Sequence, residues 1–330
     1  MSAVVSQATA FWVEEPHLGA LRTADMRDPE PGEVLVRTQY TGISRGTESV
    51  VFRGEVPHGE HDRMRSPFQE GDFPGPVKYG YLNVGVVEGG RPALRGRTVF
   101  TLFPHQSAFV VPESAVAVVP EDVPPRRAVL AGAVETAVNV LWDAAPLVGD
   151  RITVVGAGMI GCAVARLARG IPGADVMLVD VDRAKEAVSD RLDVAFAHPE
   201  DAPRERDIVV DASGSEGGLR FALEASATEG EIIVASWFGN RPVRLDLGGE
   251  FHSRRLTIRS SQVGMVSPRR RGTRSTGDRL TLALRLLRDP AYDALLTESS
   301  SWRDLPAVMA AVADGSSSGL CHTIDWRDAA

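Results

Sequence analysis

The sequence predicts an α/β protein with a β-rich N-terminal part followed by a doubly wound parallel sheet. Short apolar runs separated by Gly and Pro fill roughly the first 120 residues, a pattern typical of a small barrel or sandwich. After Gly149, strand-like and helix-like segments alternate along the chain. Such alternation indicates a parallel sheet with helices on both faces. The length of 330 residues suits two domains.

The strands of the N-terminal part follow from its apolar runs. Glu33–Thr38 is predicted to be a strand because apolar and polar residues alternate in it. Further runs bounded by turn residues predict strands at Val84–Glu88, Arg97–Leu102 and Phe109–Val111. The stretch from Val51 to Val77 is polar and rich in Gly, Pro and His, which predicts a long loop.

The pattern changes near Pro124, where apolar residues at helical spacing predict a helix over Arg127–Trp142. The parallel-sheet part that follows has five predicted strands and three predicted helices: strands at Arg151–Val155, Asp175–Val179, Asp207–Asp211, Glu231–Ala235 and Leu256–Ser260, and helices at Gly158–Arg169, Arg183–Ser189 and Gly218–Ala225. Helices near Asp278–Leu287 and Leu305–Ala313 and a strand at Cys321–Asp325 complete the prediction.

Composition excludes several classes of protein. With 43% hydrophobic and 24% charged residues the chain is expected to be globular. A net charge of −8 argues against a nucleic-acid partner, because no basic surplus is present to neutralise phosphates. No apolar run is long enough to cross a membrane, and the first residues do not resemble a secretory signal. Two cysteines, Cys162 and Cys321, fit a reducing compartment, so we expect a cytoplasmic protein.

A glycine motif of the G-x-G-x-x-G type lies between a predicted strand and a predicted helix. It consists of Gly156, Gly158 and Gly161, with Met159 and Ile160 opening the helix. The first glycine permits a tight turn, the second lets a diphosphate approach the backbone, and the third lets helix and strand pack closely. The helix N-terminus then offers N–H groups to the diphosphate. These five residues are the predicted cofactor-binding loop.

Asp180 indicates which dinucleotide is bound. It ends the next predicted strand, 24 residues after Gly156, where a carboxylate accepts hydrogen bonds from the ribose hydroxyls. The same carboxylate would repel a 2′-phosphate, so NAD is favoured over NADP. Arg183 lies nearby and leaves NADP open. A dinucleotide-binding fold that binds nothing is the alternative.

Three further segments resemble the medium-chain dehydrogenase/reductase superfamily, the alcohol dehydrogenase-like group. Residues 33–48, EVLVRTQYTGISRGTE, resemble the strand that leads into its catalytic metal loop. Residues 73–88, FPGPVKYGYLNVGVVE, resemble its Gly-His-Glu segment and the strand that follows. Residues 255–264, RLTIRSSQVG, resemble the last strand of its cofactor-binding domain.

The resemblance implies a domain plan and a location for the chemistry. A GroES-like catalytic domain is expected over residues 1–136, a Rossmann NAD-binding domain over 137–264, and a segment that returns to the catalytic domain over 265–330. Substrate and nicotinamide would meet in the cleft between the domains. The superfamily often pairs Rossmann sheets edge to edge, so a homodimer through Leu256–Ser260 is expected.

The zinc ligands of the superfamily are absent at the matching positions. Ser44 stands in place of the first Cys and Tyr81 in place of the His, and the third ligand falls near Gly132. A catalytic zinc needs about three Cys, His or carboxylate ligands, and Ser and Tyr are not usual ones. A structural zinc needs four clustered cysteines, whereas the chain has two. We therefore expect no metal.

A reaction without zinc needs another way to handle the proton on the substrate oxygen. The resemblance places Tyr81 in the vacated site, as the candidate acid. Lys78 is expected to lower the pKa of Tyr81 through its charge. Ser44 and Thr47 are candidates to relay the proton. Glu48 is expected to orient Arg45 or Lys78.

Other polar residues are candidates with simpler alternatives. Arg45 matches a position that often contacts the cofactor diphosphate, a task that suits a guanidinium. Glu135 and Thr136 lie on the helix that enters the Rossmann domain and are expected to contact cofactor or substrate. His105 and His252 are interpreted as surface or hydrogen-bonded histidines rather than residues of the cleft.

Three functions remain open. The favoured one is a zinc-independent, NAD-dependent oxidoreductase that interconverts a polar secondary alcohol, such as a sugar, cyclitol or biosynthetic intermediate, and its ketone. The second is a zinc-free enoyl or quinone reductase, and the third is a non-catalytic NAD-binding protein. The Ile43–Glu48 stretch, with Tyr81, also resembles the bacteriochlorophyllide dehydrogenase branch of the superfamily. Only short motifs support that resemblance, so its substrate is not carried over.

Overall fold

The computed structural model describes residues 7–329. The chain divides into two compact units: unit 1 is Met1–Gly132 with Leu296–Ala330, and unit 2 is Ala133–Leu295. Each unit has its own sheets and its own hydrophobic core.

Unit 1 contains a four-stranded sheet in the order β2-β1-β5-β4 and a seven-stranded sheet in the order β16-β17-β3-β6-β7-β9, in which β8 also pairs with β3. Their strands are β1 (Gln7–Glu15), β2 (Leu18–Asp25), β3 (Glu33–Ile43), β4 (Glu70–Gly71), β5 (Val77–Lys78), β6 (Asn83–Gly90), β7 (Thr98–Thr101), β8 (Ala108–Pro112), β9 (Val116–Val118), β16 (Leu296–Ser301) and β17 (Cys321–Asp325). The pairs are antiparallel except β16 with β17.

The core of unit 1 forms between the inward-facing residues of these strands. Val34 and Val36 of β3 are buried together with Val99, Phe103 and Phe109, among others. The Phe103 and Phe109 rings stack 3.8 Å apart. Alternate residues of β3 are buried because side chains of a strand point to opposite faces of the sheet. The helices of unit 1 are α1 (Arg45–Phe52), α2 (Pro125–Ala128) and α9 (Leu305–Asp314).

Unit 2 is a six-stranded parallel sheet in the order β12-β11-β10-β13-β14-β15. Its elements are the strands β10 (Arg151–Val155), β11 (Asp175–Val179), β12 (Ala195–Ala197), β13 (Arg206–Asp211), β14 (Ser226–Val234) and β15 (Thr257–Ser260) and the helices α4 (Met159–Ala168), α5 (Glu186–Arg191), α6 (Glu216–Ala225), α7 (Glu250–Ser253) and α8 (Thr276–Leu286), while α3 (Ala131–Ala144) begins at the boundary with unit 1. Numbered from β10, this is the strand order 3-2-1-4-5-6 of the dinucleotide-binding fold, in which the glycine loop follows the first strand.

The two-part α/β prediction is confirmed, and several details differ. β1, β2 and α1 are additional to the predicted elements. The single helix predicted over Arg127–Trp142 is two helices, α2 and α3, separated at Val129 and Leu130. The helix predicted at Arg183–Ser189 begins as a 3₁₀ turn before α5.

The domain bounds also differ from the expected ones, because residues up to Leu295 belong to unit 2. Two ion pairs explain why. Arg279 of α8 pairs with Glu135 of α3 (Nε–Oε1, 3.0 Å), and Asp289 pairs with Arg166 of α4 (2.8 Å from Oδ2 to Nε). The segment that returns to unit 1 therefore begins at Leu296 instead of residue 265. Among the described helices, none combines the length and apolar character that a membrane crossing requires.

Candidate functional site

The glycine loop after β10 has the conformation that its sequence predicts. Gly156 has φ +100°, and a Cβ there would lie 2.7 Å from Cα of Ser213. A Cβ on Gly161 would lie 1.9 Å from the carbonyl oxygen of Gly156. Gly158 differs from both, because nothing lies within 4 Å of the place its Cβ would take. Two glycines therefore allow the turn to close, and the third leaves one side of the loop open.

Helix α4 begins on the open side of this loop. Its N-cap residue is Gly158, which has no side chain to accept hydrogen bonds from the first turn. Met159, Ile160 and Gly161 form that turn. The positive end of the helix dipole and uncapped N–H groups make such a terminus suitable for a diphosphate. The residues present thus fit a dinucleotide cofactor.

Asp180 follows β11 and is bound to the glycine loop. One carboxylate oxygen accepts a hydrogen bond from the Ala157 N–H (2.6 Å), and the other accepts one from the Asp182 N–H (2.9 Å). The carboxylate therefore braces the loop, and its contact with the ribose stays a prediction. Arg183, which left NADP open, pairs with Asp201 at 3.1 Å on the surface.

Glu135 lies in a buried polar network of unit 2. Its carboxylate pairs with Arg279, and both residues are buried. Burial raises the pKa of Glu135, and the Arg279 guanidinium opposes that rise. Arg279 also donates to the side-chain carbonyl of Asn139 at 2.5 Å. This ion pair gives Glu135 a structural partner, and its contact with cofactor or substrate stays a prediction, as does that of half-buried Thr136.

In unit 1, Tyr81 and Ser44 are brought together by β3, α1 and the segment before β6. The Tyr81 hydroxyl donates to Oγ of Ser44 at 2.6 Å. Burial and the nearby Glu48 carboxylate raise the pKa of Tyr81 to about 12, although its hydrogen bonds with Ser44 and Thr47 oppose this rise. Two residues at the expected ligand positions therefore bond to each other. Tyr81 is a protonated phenol at neutral pH.

Glu48 lies behind this pair and is only 3% exposed. One carboxylate oxygen accepts from the Ser44 backbone N–H at 2.7 Å, and the other lies 2.8 Å from Nε2 of His105. Ser44 is the N-cap of α1 and makes no side-chain cap, because its hydroxyl is bonded to Tyr81. Glu48 thus holds the start of α1 through the backbone.

His105 completes the cluster from the segment before β8. Its Nδ1 lies 2.7 Å from Oγ1 of Thr41, and the indole N–H of Trp326 donates to the same oxygen at 2.9 Å. With Nε2–H donating to Glu48, the Thr41 hydroxyl can donate to Nδ1 while it accepts from Trp326. This arrangement of donors and acceptors satisfies both ring nitrogens of His105. Gly80 makes room for the ring, because a Cβ there would lie 2.9 Å from Cδ2 of His105.

Two sequence-based expectations about this cluster are wrong. Lys78 does not lower the pKa of Tyr81, which is raised; its ammonium donates to Glu70 and Gln106. The partners of the Lys78 ammonium therefore lie outside the cluster of Tyr81, Ser44 and Glu48.

Glu48 orients neither Lys78 nor Arg45. Its two oxygens bond to Ser44 and His105, and Arg45 donates to the carbonyl oxygen of Gly319 at 3.0 Å. Contact of Arg45 with the cofactor diphosphate stays a prediction.

Ser44, Thr47, Glu48 and Tyr81 lie in one cluster, as the sequence predicts. His105 also belongs to this cluster and was not predicted to do so. No spacing links His105 to Glu48, 57 positions away, or Trp326 to Thr41, 285 positions away. Their proximity follows from strand pairing, such as Thr41 opposite Ile324 in β3 and β17. Over residues 7–329 there is no group of three or more His, Cys, Asp or Glu arranged to hold a metal ion. The Ser44 hydroxyl and the Tyr81 phenol bond to each other, and neither is a usual zinc ligand. These two residues therefore do not fit the catalytic zinc of the superfamily.

Comparisons with known structures identify the fold. A Sinorhizobium meliloti protein described as a zinc-binding dehydrogenase, bound to NADP, matches with a TM-score of 0.78 and 16% identity over 97% of this chain and 99% of that one. An alcohol dehydrogenase from E. coli complexed with NADH matches with a TM-score of 0.76, 16% identity, and the same coverage. The 2R,3R-butanediol dehydrogenase from Bacillus subtilis matches with a TM-score of 0.77 and 15% identity, over 96% of this chain and 99% of that one.

The chain has the medium-chain dehydrogenase/reductase fold. This fold is the one implied by the resemblance of residues 33–48, 73–88 and 255–264. No family model matches the sequence. This chain is similar to a curated protein, 2-desacetyl-2-hydroxyethyl bacteriochlorophyllide A dehydrogenase from Rhodobacter capsulatus, with 29% identity over 236 residues, which is 65% of this chain and 69% of that protein.

Proposed function

We propose that this protein is a zinc-independent, NAD-dependent oxidoreductase of the cytoplasm that interconverts a polar secondary alcohol and its ketone. The hydrogen bond between Tyr81 and Ser44 carries this proposal. It joins a protonated phenol to a hydroxyl that could relay its proton, and both residues stand at sequence positions that match zinc ligands of the superfamily. Structural relatives bound to NADP and NADH support a nicotinamide cofactor.

The choice of NAD rests on Asp180. Its carboxylate stands at the end of β11, at the place from which Rossmann domains bind the adenosine ribose. It is braced by the N–H groups of Ala157 and Asp182, which hold it close to the glycine loop. A 2′-phosphate brought to the same place would meet this negative charge.

The chemistry of the reaction divides between cofactor and protein. The nicotinamide supplies or accepts the hydride when it is bound. Tyr81 donates its proton to the carbonyl oxygen as negative charge develops there. Ser44, whose Oγ accepts a hydrogen bond from Tyr81 at rest, then gives its own hydroxyl proton to Tyr81 and is reprotonated from solvent through Thr47. In alcohol oxidation the same groups take the proton away.

The substrate class follows from the polarity of the cluster and from the relatives. Ser44, Thr47 and Tyr81 present hydroxyl groups, which suit a substrate that itself carries hydroxyl or carbonyl oxygens. The butanediol dehydrogenase of Bacillus subtilis is named for a diol, and the Rhodobacter relative for a hydroxyethyl group. The first name denotes a secondary alcohol and the second an alcohol on a side chain, which agrees with the proposed reaction.

Replacing Tyr81 with Phe tests the proposal. The phenol ring stays and its proton is lost, so turnover is expected to fall by roughly 10²–10⁴, the usual contribution of a general acid. Absorbance at 340 nm with NADH and a panel of hydroxyketones, and with NAD and the matching diols, measures the rates. Tyr40→Phe, on β3, is the matched control. The Tyr40 ring lies against the Arg327 guanidinium, outside the cluster.

Four outcomes would contradict the proposal. Full turnover by Tyr81→Phe would exclude Tyr81 as the acid. Loss of turnover on treatment with a chelator, restored by zinc, would exclude a zinc-independent reaction. Activity confined to activated alkenes with NADPH would favour an enoyl or quinone reductase, and NADH binding without any turnover would favour a non-catalytic protein.

A further inference from the structure

Three side chains of unit 1 form a chain of hydrogen bonds that the proposed reaction does not use. Oγ of Ser300 lies 2.9 Å from Nε2 of His322, and Nδ1 of the same ring lies 3.0 Å from Oε2 of Glu298. Both separations are those of ordinary hydrogen bonds. A serine, an imidazole and a carboxylate linked in this order form the arrangement that activates a hydroxyl for acyl transfer.

Strand pairing brings the three side chains to one face of the sheet. Glu298 and Ser300 are two residues apart on β16, so their side chains point to the same side. His322 lies opposite Glu298 in the parallel pairing of β16 with β17. Its ring therefore reaches the carboxylate with one nitrogen and the hydroxyl with the other.

The carboxylate determines the direction of both hydrogen bonds. An ionised carboxylate can only accept, so His322 donates to Glu298 from Nδ1. In the neutral imidazole the other nitrogen, Nε2, then carries no proton and accepts from the Ser300 hydroxyl. Ser300 thus directs its proton at a base and keeps its oxygen lone pairs for an electrophile.

The loop before β17 holds the Glu298 carboxylate in place. The Ser317 hydroxyl donates to the same oxygen, Oε2, at 2.8 Å. Gly319 leaves room for the carboxylate, because a Cβ there would lie 2.5 Å from Oε2. Arg45 of α1 donates to the carbonyl oxygen of Gly319 at 3.0 Å, which ties the loop to that helix. The carboxylate is therefore fixed by contacts that do not involve Ser300.

The three residues can be reached from solvent. β16 is the outer strand of the seven-stranded sheet among the strands that the structure describes. The Glu298 side chain is 36% exposed and the His322 side chain 12% exposed, and Ser300 is half-buried. A small reagent can therefore meet the serine oxygen while the imidazole stays in contact with the carboxylate.

We propose that Ser300 is a nucleophile that takes an acyl group from an activated ester, with His322 as its base and Glu298 as the residue that positions the base. Oγ of Ser300 forms a bond to the carbonyl carbon as its proton moves to Nε2 of His322. The bond to the leaving alcohol then breaks, and that alcohol takes the proton from Nε2. Water attacks the acyl-serine by the same steps, which releases a carboxylic acid and restores Ser300. This activity is additional to the proposed oxidoreductase reaction and uses no nicotinamide.

Labelling with a fluorophosphonate tests the reactivity of Ser300. A serine oxygen displaces fluoride from the phosphorus atom, and mass spectrometry of the peptides locates the product. The wild-type protein is expected to be labelled at Ser300, and Ser300→Ala is expected to lose this label. Ser299→Ala is the matched control and is expected to be labelled as the wild type is, because alternation points Ser299 to the opposite face of β16. Absence of label at Ser300 overturns the proposal.

Substitutions of His322 and Glu298 test how the serine is activated. His322→Gln removes the base, so the labelling rate is expected to fall roughly 10²-fold or more. Glu298→Gln keeps the shape of the side chain and removes its charge, and the rate is expected to fall by a smaller factor. Glu298→Asp keeps the charge and is expected to recover part of that rate. Labelling of all three variants at the wild-type rate would show that Ser300 reacts without the other two residues.

Hydrolysis of p-nitrophenyl acetate tests transfer of the acyl group. We expect a rapid release of p-nitrophenolate, equal to one molecule per chain, as the acetyl group moves to Ser300. This phase is expected to be absent in Ser300→Ala and retained in Ser299→Ala. A rapid phase that persists in Ser300→Ala would assign the reaction to another nucleophile and overturn the proposal. Neither NAD nor NADH is present in this assay, so its outcome does not depend on the proposed oxidoreductase.

Discussion

At the scale of single residues, Asp180 has a structural task besides the ribose contact that the sequence motif predicts. The motif predicts a ribose contact, whereas the structure adds hydrogen bonds to Ala157 and Asp182 that brace the loop. Replacing Asp180 with Asn keeps an oxygen acceptor for one of these N–H groups and removes the charge. We expect the preference for NADH over NADPH to fall roughly tenfold, equivalent to about 1.4 kcal/mol, because repulsion of the 2′-phosphate is lost.

Quenching of intrinsic fluorescence by NADH and NADPH measures both dissociation constants. Asp182→Asn is the control, since Asp182 lies two residues away and caps the 3₁₀ turn by accepting from Ala184. An unchanged ratio of the two constants in Asp180→Asn would show that Asp180 only braces the loop.

Residues that act through a local motif were predictable, and residues that meet through strand pairing were not. Gly156, Gly158 and Gly161 follow from a short pattern whose physical reasons are visible in the sequence. Tyr81 and Ser44 required the resemblance to a superfamily. His105 carried no signal of its own, because a single histidine between Pro104 and Gln106 is equally compatible with an exposed position and with a buried hydrogen bond.

At the scale of elements, α8 is attached to α3 through one buried guanidinium. Arg279 bonds to Glu135, to Asn139 and to the carbonyl oxygens of Val263 and Met265. Arg279→Met would leave Glu135 as a buried charge without its partner. Loss of such a partner costs about 3–5 kcal/mol in the free energy of unfolding. Urea denaturation measures the loss, and Arg285→Met, on an exposed position of α8, is the control.

The loss of stability in Arg279→Met is expected to depend on pH through the Glu135 carboxyl. Burial raises the pKa of Glu135, and without the Arg279 charge this pKa rises further. A carboxyl whose folded pKa is raised destabilises the protein above that pKa and ceases to do so as pH falls through it. The loss in Arg279→Met is therefore expected to be smaller at about pH 6 than at about pH 8. A loss independent of pH would assign the effect to packing alone.

Helices were predictable where apolar residues recur at helical spacing over several turns. Strands were predictable where they form short apolar runs bounded by turn residues. The strand at Cys321–Asp325 has the predicted bounds, and α4, α8 and α9 lie within two residues of theirs. Helix α1 was missed because its eight residues begin in a polar stretch, RGTE, whose glycine and charges resemble a loop. Its stability comes from packing against α9 and from Glu48, which are tertiary contacts.

At the scale of the whole molecule, the edge of the unit 2 sheet bears on assembly. In the part of the chain that the structure describes, β15 pairs with β14 alone, and its ends at Thr257 and Ser260 are exposed. The Ser261 N–H bonds to Val234 of β14, so by alternation the N–H of Ile258 points to the open edge. An open edge is a template for pairing with another strand. We propose that two copies pair through β15 to form a homodimer.

Replacing Ile258 with Pro tests this assembly. Proline lacks the N–H that the partner strand would accept, and at an edge position it leaves the bonds to β14 in place. The wild-type protein is expected to elute as a species of about 71 kDa, twice the chain mass of 35.4 kDa. Ile258→Pro is expected to shift it to the monomer, measured by light scattering after gel filtration, whereas Ile258→Val retains the N–H and the dimer. A monomeric wild-type protein, or a dimeric Ile258→Pro with native circular dichroism, would exclude β15 as the interface.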